Sequence, residues 1–307
     1  YSSLITFFIG IILNISFIKK NIKLGIREAF VLTISSWIII SIFGSLPFIY
    51  SSSNLTYTDA FFESVSGITT TGSTVISNLE ELSEGILIWR SLLQWFGGIG
   101  IIVLAMAILP TLQIGGMQLL HMEHDDPYEK TIPKVNRFVL ELFFLYVFLS
   151  VICAFLYFLN GMSGFDSIIH SMTTISTGGF SNYNQSFSYF NSFQIEIVSV
   201  IFMIIGSLPF VLYLQFLHRQ KKIFLKDDQI KLFFLIIFII VLISTVWLSI
   251  NQNNNFFSSF RLALFNIISI LTGTGYSSSN FSNWGSFGTV IMMIIMFIGG
   301  CAGSTTG

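Results

Sequence analysis

Long apolar runs constrain this chain most, because about 20 consecutive apolar residues are the length of a membrane-spanning helix. The 307 residues are 53% apolar and only 9% charged, whereas about a quarter of the residues in a soluble domain are charged. So few charges cannot cover a water-soluble body of this size, and we predict an all-α integral membrane protein. The predicted spans are residues 4–18, 29–50, 86–109, 138–159, 195–217, 232–250 and 286–300.

The connections between these runs are of two kinds. Basic clusters within 19–27, 130–137 and 219–231 hold most of the 14 Lys and Arg residues. The positive-inside rule places such segments in the cytoplasm, which leaves the connections rich in Ser, Thr, Asn and Phe on the outer side. A net charge of −1 gives no reason to expect a nucleic-acid partner, and membrane lipid is the expected surrounding. Cys153 and Cys301 lie in apolar runs and predict neither a disulfide nor a metal cluster.

Each outer connection begins with a short, moderately apolar segment that is followed by a polar one. About three helical turns are too few to cross a bilayer, so we predict re-entrant helices buried in protein; an amphipathic surface helix is the alternative. The re-entrant helices are predicted at 56–67, 165–174 and 259–269. The polar segments that follow are TTTGST (69–74), ISTGGFS (175–181) and LTGTGYS (271–277).

These segments belong to an internal repeat, which an alignment on Gly72, Gly179 and Gly275 makes visible. Every unit consists of a span, a short helix, a Ser/Thr/Gly segment and a second span. A repeat of this kind governs the whole architecture. We predict helix–pore-loop–helix units around a pseudo-fourfold pore, with three repeats present. One polar position in each short helix coincides in this alignment: Glu63, His170 and Asn266.

The polar segments have the chemistry of a cation path. Irregular backbone at membrane depth is tolerated where protein buries it or where it lines a watery route. Rings of carbonyl oxygens can replace the water shell of a cation, and the C-terminal end of each short helix adds partial negative charge. Glu63, His170 and Asn266 are predicted to support these segments rather than to touch the ion; proton relay is the alternative role for His170. A substrate carrier and an intramembrane enzyme are the alternatives; the shared orientation of the repeats argues against the first, and the lack of a catalytic dyad against the second.

Several stretches resemble the TrkH subunits of bacterial Trk potassium-uptake systems, within the Trk/Ktr/HKT superfamily of cation transporters. The resemblance covers nearly the whole chain. The stretches that carry it are LPFIY (46–50), LTYTDAFFESVSGITTTGST (55–74), WRSLLQWFGGIGIIVLAMAILP (89–110), GGMQL (115–119), ISTGGFS (175–181), TGTGYS (272–277) and FIGGCAGSTTG (297–307).

This resemblance implies potassium uptake through a carbonyl-lined selectivity filter and an intramembrane gating loop, in the bacterial inner membrane and without enzyme activity. An ion-coupled secondary carrier, for example a sodium- or proton-coupled cation symporter, is the alternative. The implied potassium-binding residues are Thr70, Thr71, Gly72, Thr177, Gly178, Gly179, Gly273, Thr274 and Gly275. The implied gate comprises Gly299, Gly300, Cys301, Ala302, Gly303, Ser304, Thr305, Thr306 and Gly307. A Gly-rich helix interface, the other interpretation of small-residue runs, suits GGIG (97–100) better.

The resemblance further implies a homodimer and a cytoplasmic regulatory subunit of the TrkA type. That partner, and not this chain, is expected to bind NAD or ATP, and potassium is the only metal expected here. We interpret the sequence as a fragment without the fourth repeat. The expected division is a helix-pair remnant and linker (1–27), repeat 1 (28–110), a cytoplasmic linker (111–134), repeat 2 (135–218), a second linker (219–228) and a truncated repeat 3 (229–307).

Overall fold

The computed structural model describes residues 2–17, 26–51, 55–112, 131–217, 224, 227–251, 255–280 and 284–306. Most of the basic connections, together with Gly307 of the predicted gate, lie outside these described residues. Within them the chain is helical. The helices are α1 (Ser2–Phe17), α2 (Ile26–Ile49), α3 (Tyr57–Ile68), α4 (Glu84–Leu112), α5 (Thr131–Leu159), α6 (Gly164–Ile175), α7 (Phe193–Gly206), α8 (Phe210–Leu217), α9 (Asp228–Asn251), α10 (Phe256–Leu271) and α11 (Gly285–Met296).

Long apolar helices form the frame of the molecule. Among the described residues, four helices (α2, α4, α5 and α9) are long and apolar enough to cross a membrane, and a bent pair, α7 and α8, makes a fifth if it counts as one span. Large side chains such as Phe144 and Phe238 are exposed on the outer faces of α5 and α9, where lipid offers them an apolar surrounding. These helices confirm the predicted membrane class.

Two spans differ from their predicted bounds. The last one, predicted over 286–300, ends at Met296 after 12 residues, because Gly299 takes a left-handed φ of 70° that an α-helix does not contain. The first span, α1 (Ser2–Phe17), agrees closely with the predicted 4–18. Helix α5 begins at Thr131, inside the segment predicted as a linker; Pro133 is tolerated in its first turn, where an N–H has no helical partner.

Short helices α3, α6 and α10 coincide closely with the predicted re-entrant segments. The first two begin with side-chain caps: Thr56 Oγ1 accepts a hydrogen bond from the backbone N–H of Asp59 at 3.2 Å, and Ser163 Oγ accepts one from that of Asp166 at 3.0 Å. Such a cap satisfies an N–H group that the first turn leaves free. The third has Asn255 at its N-cap without a side-chain bond.

The repeat seen in the sequence is also a repeat of packing. Every short helix packs against the span before it, giving the pairs α2–α3, α5–α6 and α9–α10. The second span of a repeat then packs against the short helix of the next repeat, as in α4–α6 and α7–α10. This arrangement places the C-terminal ends of the short helices close to one another.

Glycines allow the closest of these approaches. A Cβ atom on Gly97 of α4 would collide with the carbonyl oxygen of Ile68 at the end of α3, and one on Gly98 would lie 2.8 Å from Ser176 Cβ. Gly100, three residues after Gly97, has only ordinary contacts with Trp37. The run GGIG is therefore a helix-packing surface, as the sequence suggested.

A partly buried ion pair joins the second and third repeats. Arg261 of α10 donates to both carboxylate oxygens of Glu196 on α7, at 2.7 and 2.9 Å. This bidentate geometry is the strong form of an Arg–carboxylate pair. Glu196 is thus the partner of an arginine that lies on a short apolar helix.

A sharp bend interrupts the span predicted over 195–217. Helices α7 and α8 meet at 88° across Ser207, Leu208 and Pro209. Proline cannot donate a helical hydrogen bond and disfavours helical geometry in the residue before it. The prediction of one continuous span was wrong because the apolar composition continues across the bend.

Replacing Gly97 with alanine should destabilise the protein by about 1–3 kcal/mol, because the new methyl group must displace backbone at the end of α3. Gly100→Ala is the matched control and should be neutral or stabilising by up to about 1 kcal/mol, since helix propensity favours alanine. Thermal unfolding of both variants in detergent measures the difference. Equal melting temperatures would contradict the close packing of α4 on α3.

Candidate functional site

An unusual backbone conformation recurs after each short helix. In the three triplets 70–72, 177–179 and 273–275, the first residue has φ between 48° and 71° and the third between 78° and 85°. The middle residues stay outside this left-handed region. Two of the first residues, Thr70 and Thr177, are β-branched, for which such a φ is a genuine outlier. Strain of this kind persists only where the surroundings enforce it, and it is concentrated at functional sites.

Hydrogen bonds to the short helices enforce this conformation. The N–H groups of Thr71, Gly178 and Gly275 donate to helix-terminal carbonyls at 3.0, 2.9 and 3.1 Å. The acceptors are the equivalent residues of the repeat, namely Ser66, Thr173 and Ser269. In a trans peptide the C=O points opposite to the N–H, so the carbonyls of Thr70, Thr177 and Thr274 point away from their own helices.

The three triplets adjoin one another in chain order. A Cβ atom on Gly72 would collide with the carbonyl oxygen of Gly178, and one on Gly179 with that of Thr274. Only glycine allows these approaches, and both positions also have a left-handed φ. Gly275 has no described neighbour within 4 Å of such a Cβ position. The contacts follow one direction around the site, from triplet to triplet.

The equivalent polar residues of the short helices brace the segments that leave the triplets. Glu63 accepts hydrogen bonds from Thr74 Oγ1 at 2.9 Å and from the N–H of Val75 at 3.3 Å. His170 Nε2 lies 3.1 Å from Ser181 Oγ. In the third repeat the contacts are from Asn266 Nδ2 to Ser278 Oγ, at 3.0 Å, and from the N–H of Ser278 to Asn266 Oδ1, at 3.2 Å. Glu63, His170 and Asn266 are all fully buried.

Arg90 of α4 does not extend to the membrane interface, where an arginine near the end of a span can place its charged head in water. It is 1% exposed, and its Nε donates to Glu63 at 2.7 Å. Its Nη1 donates to the carbonyl of Ser181 at 3.1 Å, and the guanidinium lies 4.1 Å from the ring centroid of Phe180. The carboxylate on α3 draws the arginine inward, so one side chain of α4 connects the first and second polar segments.

Gln94 is a site residue that sequence reasoning missed. Its Nε2 donates to the carbonyl of Gly178 at 2.6 Å, and its Oε1 accepts from the N–H of Phe180 at 3.0 Å. It is fully buried and lies one helical turn after Arg90. Two polar residues four apart on an apolar helix share one face, and this spacing was the available signal.

The described part of the predicted gate, residues 299–306, fills the bend between α7 and α8. The N–H of Cys301 donates to the carbonyl of Ser207 at 2.9 Å, and the N–H of Phe210 donates to the carbonyl of Gly303 at 3.0 Å. A third bond runs from the N–H of Thr305 to the carbonyl of Gly206 at 3.1 Å. Polar groups that the bend frees are thus satisfied by this loop.

The donor set of the site is made of uncharged oxygens. Among the described residues no group of three or more His, Cys, Asp or Glu side chains is placed to hold a metal ion. The oxygens that face away from the short helices are backbone carbonyls, and threonine hydroxyls surround them. Such a set suits a weakly held monovalent cation better than a tightly bound transition metal.

The fold and site define a class: an integral membrane protein in which repeated helix–loop–helix units bring strained, oxygen-rich loops together. A model of the TrkH family, described as cation transport protein, matches residues 2–307. The chain belongs to this family. A crystal structure of the potassium transporter TrkH from Vibrio parahaemolyticus is similar, with a TM-score of 0.84 and 38% identity over 94% of this chain and 59% of that one.

Curated relatives agree with the family assignment. The Trk system potassium uptake protein TrkI of Halomonas elongata is 42% identical over 91% of this chain and 57% of its own length. The Trk system potassium uptake protein TrkH of Escherichia coli K12 is 40% identical over 94% of this chain and 61% of its own length. The chain thus spans about 57–61% of the length of these relatives.

Arg90→Met should lower the free energy of unfolding by about 3–5 kcal/mol, because it leaves the buried Glu63 carboxylate without its cation. Arg137→Met removes the same side chain from a pair whose arginine is 81% exposed and should change it by less than about 1 kcal/mol. Thermal unfolding measures both. The double variant with Glu63→Gln should be less destabilised than Arg90→Met alone, and an Arg90→Met effect as small as that of the control would refute the pair's role.

Proposed function

We propose that this chain forms most of a potassium uptake path, with the triplets 70–72, 177–179 and 273–275 as its selectivity filter. The observation that carries the proposal is the shared backbone geometry of the triplets. Their N–H groups are tied back to three helix ends while the carbonyls point away from them. Carbonyl oxygens in this arrangement substitute for the hydration shell of a dehydrated ion.

Charge favours a cation at this place. Each triplet follows the C-terminal end of a short helix, and that end carries about half a negative charge. The guanidinium of Arg90, which lies beside the second polar segment, is neutralised by Glu63. The ion is therefore stabilised by partial charges, which hold it weakly enough to let it move on.

The loop 299–306, with Gly307 beyond the described residues, is proposed as the gate. It lies against the bend between α7 and α8 and contacts the second triplet, since Thr305 Oγ1 is 3.3 Å from Thr177 Oγ1. Its glycines, such as Gly299 and Gly303 with left-handed φ, let the backbone reorient with little steric resistance. Movement of this loop would open or close the route below the filter.

A fourth segment is proposed to close the ring. Gly275 has no described neighbour where Gly72 and Gly179 each contact the next triplet, and Gly275 and Thr71 are both exposed. The relatives are longer than this chain, which covers 57% of one and 61% of another. The pore would then be complete in the whole protein, with the domain division given above.

Location and partners follow from the family. The relatives are named as parts of a Trk system, and from this we infer that the protein works in the bacterial inner membrane with other components. A homodimer and a cytoplasmic TrkA-type subunit are the proposed assembly. NAD or ATP would bind that subunit and control the gate, while this chain binds only the transported potassium and performs no enzymatic reaction.

Flux into liposomes tests the function directly. The whole protein should pass potassium and rubidium well and sodium poorly, without a requirement for a sodium or proton gradient. Strict dependence of potassium flux on either gradient would instead establish the ion-coupled carrier. Equal passage of sodium and potassium would refute a carbonyl-based selectivity filter.

Gly179→Ala should reduce selective potassium flux at least about a hundredfold, because the methyl group collides with the Thr274 carbonyl at the proposed filter. Gly161→Ala is the matched control: Gly161 also has a left-handed φ, of 102°, but a Cβ atom there meets nothing within 4 Å. That variant should keep its selectivity and lose only about 1 kcal/mol of stability to strain. Rubidium uptake into liposomes compares the two, and unaltered selectivity in Gly179→Ala would count against the filter assignment.

A further inference from the structure

The carbonyl that precedes each triplet receives a hydroxyl hydrogen bond. In the first repeat Thr70 Oγ1 donates to the carbonyl of Thr69 at 2.7 Å, and in the second Thr177 Oγ1 donates to that of Ser176 at 2.8 Å. In both cases the donor is the first residue of the triplet. The inner end of each of these two triplets therefore has one carbonyl whose direction and charge are adjusted by a threonine.

The third triplet cannot make this bond from its own side chain, because its first residue is Gly273. The carbonyl in question, that of Thr272, nevertheless has a hydroxyl partner. Thr306 Oγ1, from the loop 299–306, donates to it at 3.2 Å. A residue 34 positions away in sequence supplies the hydroxyl that Thr70 and Thr177 supply in their own triplets.

Thr306 also fills the space of the missing side chain. A Cβ atom built on Gly273 would lie 3.3 Å from Thr306 Cγ2, closer than most real Cβ contacts. The methyl group of Thr306 thus crowds any side chain at position 273, and its hydroxyl makes the hydrogen bond that such a side chain would make. Glycine at 273 leaves the space that Thr306 occupies, and Thr306 supplies the hydroxyl that glycine lacks.

Hydrogen bonds that hold the loop 299–306 determine the position of this hydroxyl. Thr305, the preceding residue, is fully buried and its Oγ1 is 2.9 Å from the carbonyls of both Ile175 and Gly206. Thr306 Oγ1 is also 3.3 Å from Ser207 Oγ at the bend. The loop is therefore held between the end of α6 and the bend while it reaches the third triplet.

We propose that Thr306 is a positioning residue of the filter, contributed by the gate loop, which completes the set of hydroxyl–carbonyl pairs at the inner ends of the triplets. This inference rests on the filter and gate assignments above. It makes the ion affinity of the filter depend on the loop, since displacement of the loop removes the donor from the Thr272 carbonyl. Coupling of this kind is reciprocal, so an ion at the inner end of the filter biases the position of the loop.

Two variants of Thr306 separate the effect of its hydroxyl from that of its methyl group. Thr306→Val keeps the methyl group beside Gly273 and removes the donor, whereas Thr306→Ser keeps the donor. In the whole protein in liposomes, Thr306→Val should change the potassium concentration for half-maximal flux by about fivefold, as expected for one hydrogen bond. Thr306→Ser should stay within about twofold of the unmodified protein. Equal values for the two variants overturn the proposal.

Moving the hydroxyl from residue 306 to residue 273 gives a sharper test, because a rescue of function cannot result from a less stable loop. Gly273→Thr alone should impair flux, because its Cβ is crowded by Thr306. Combined with Thr306→Ala, it gives the third triplet the threonine that the other two have, and the half-saturation value should return toward that of the unmodified protein. A double variant no better than Thr306→Ala overturns the proposal. If Thr306→Val does not purify as a folded protein, Thr306→Cys replaces it. The cysteine variant should behave like Thr306→Val, because a thiol is a weak hydrogen-bond donor. Behaviour like that of Thr306→Ser overturns the proposal.

Thr289→Val is the matched control, since Thr289 is exposed on α11 and its hydroxyl bonds to the carbonyl of Gly285 in its own helix. It should leave flux and half-saturation unchanged, and an effect equal to that of Thr306→Val overturns the proposal. The unmodified protein distinguishes the two levels of inference. If it passes no potassium selectively, the proposed function fails; if it does, and Thr306→Val matches Thr306→Ser, only the role of Thr306 fails.

Discussion

Backbone polar groups away from water must find partners, and this constraint shapes the site from its helices to its loops. Left-handed residues at both ends of each triplet turn the N–H groups toward a short helix, where terminal carbonyls accept them. The N–H groups are thereby satisfied within the protein, and the carbonyls of Thr70, Thr177 and Thr274 are left for another partner, whereas Gln94 binds that of Gly178. The short helices are thus required for more than their dipole, because they hold the strained conformation in place.

The three repeats hold the segments that leave their triplets with three different side chains. A carboxylate, an imidazole and an amide occupy the same place in α3, α6 and α10, and each bonds the segment that leaves its own triplet. The carboxylate brings Arg90 with it, and Arg90 and Gln94 then bind the second segment from α4. A site that is symmetric in its backbone is therefore asymmetric in its supports.

Local patterns were enough to predict most of the spans, the short helices and the repeat, because each depends on residues close in sequence. The triplets were visible for the same reason, since glycine and threonine at fixed distances after a short apolar helix are a local signal. The bend at Ser207–Pro209 and the inward course of Arg90 were not predicted. Pro209 gives a local reason for the bend, but the apolar run continues across it, and the groups that the bend frees find partners in the distant loop 299–306. The arginine depends on Glu63, which lies on another helix. The roles assigned to the triplets, their supports and the loop stay predictions.

The loop 299–306 and the bend between α7 and α8 satisfy each other's backbone polar groups, and this links their movements. Without the loop, the carbonyls of Gly206 and Ser207 and the N–H of Phe210 would lose the partners that satisfy them. An unsatisfied peptide group in an apolar surrounding costs several kcal/mol, so such a state is accessible only if water replaces those partners. Displacement of the loop is therefore coupled to wetting of the space beneath the triplets. A water-filled space is also what an ion leaving the carbonyls needs, because it must recover its hydration shell there.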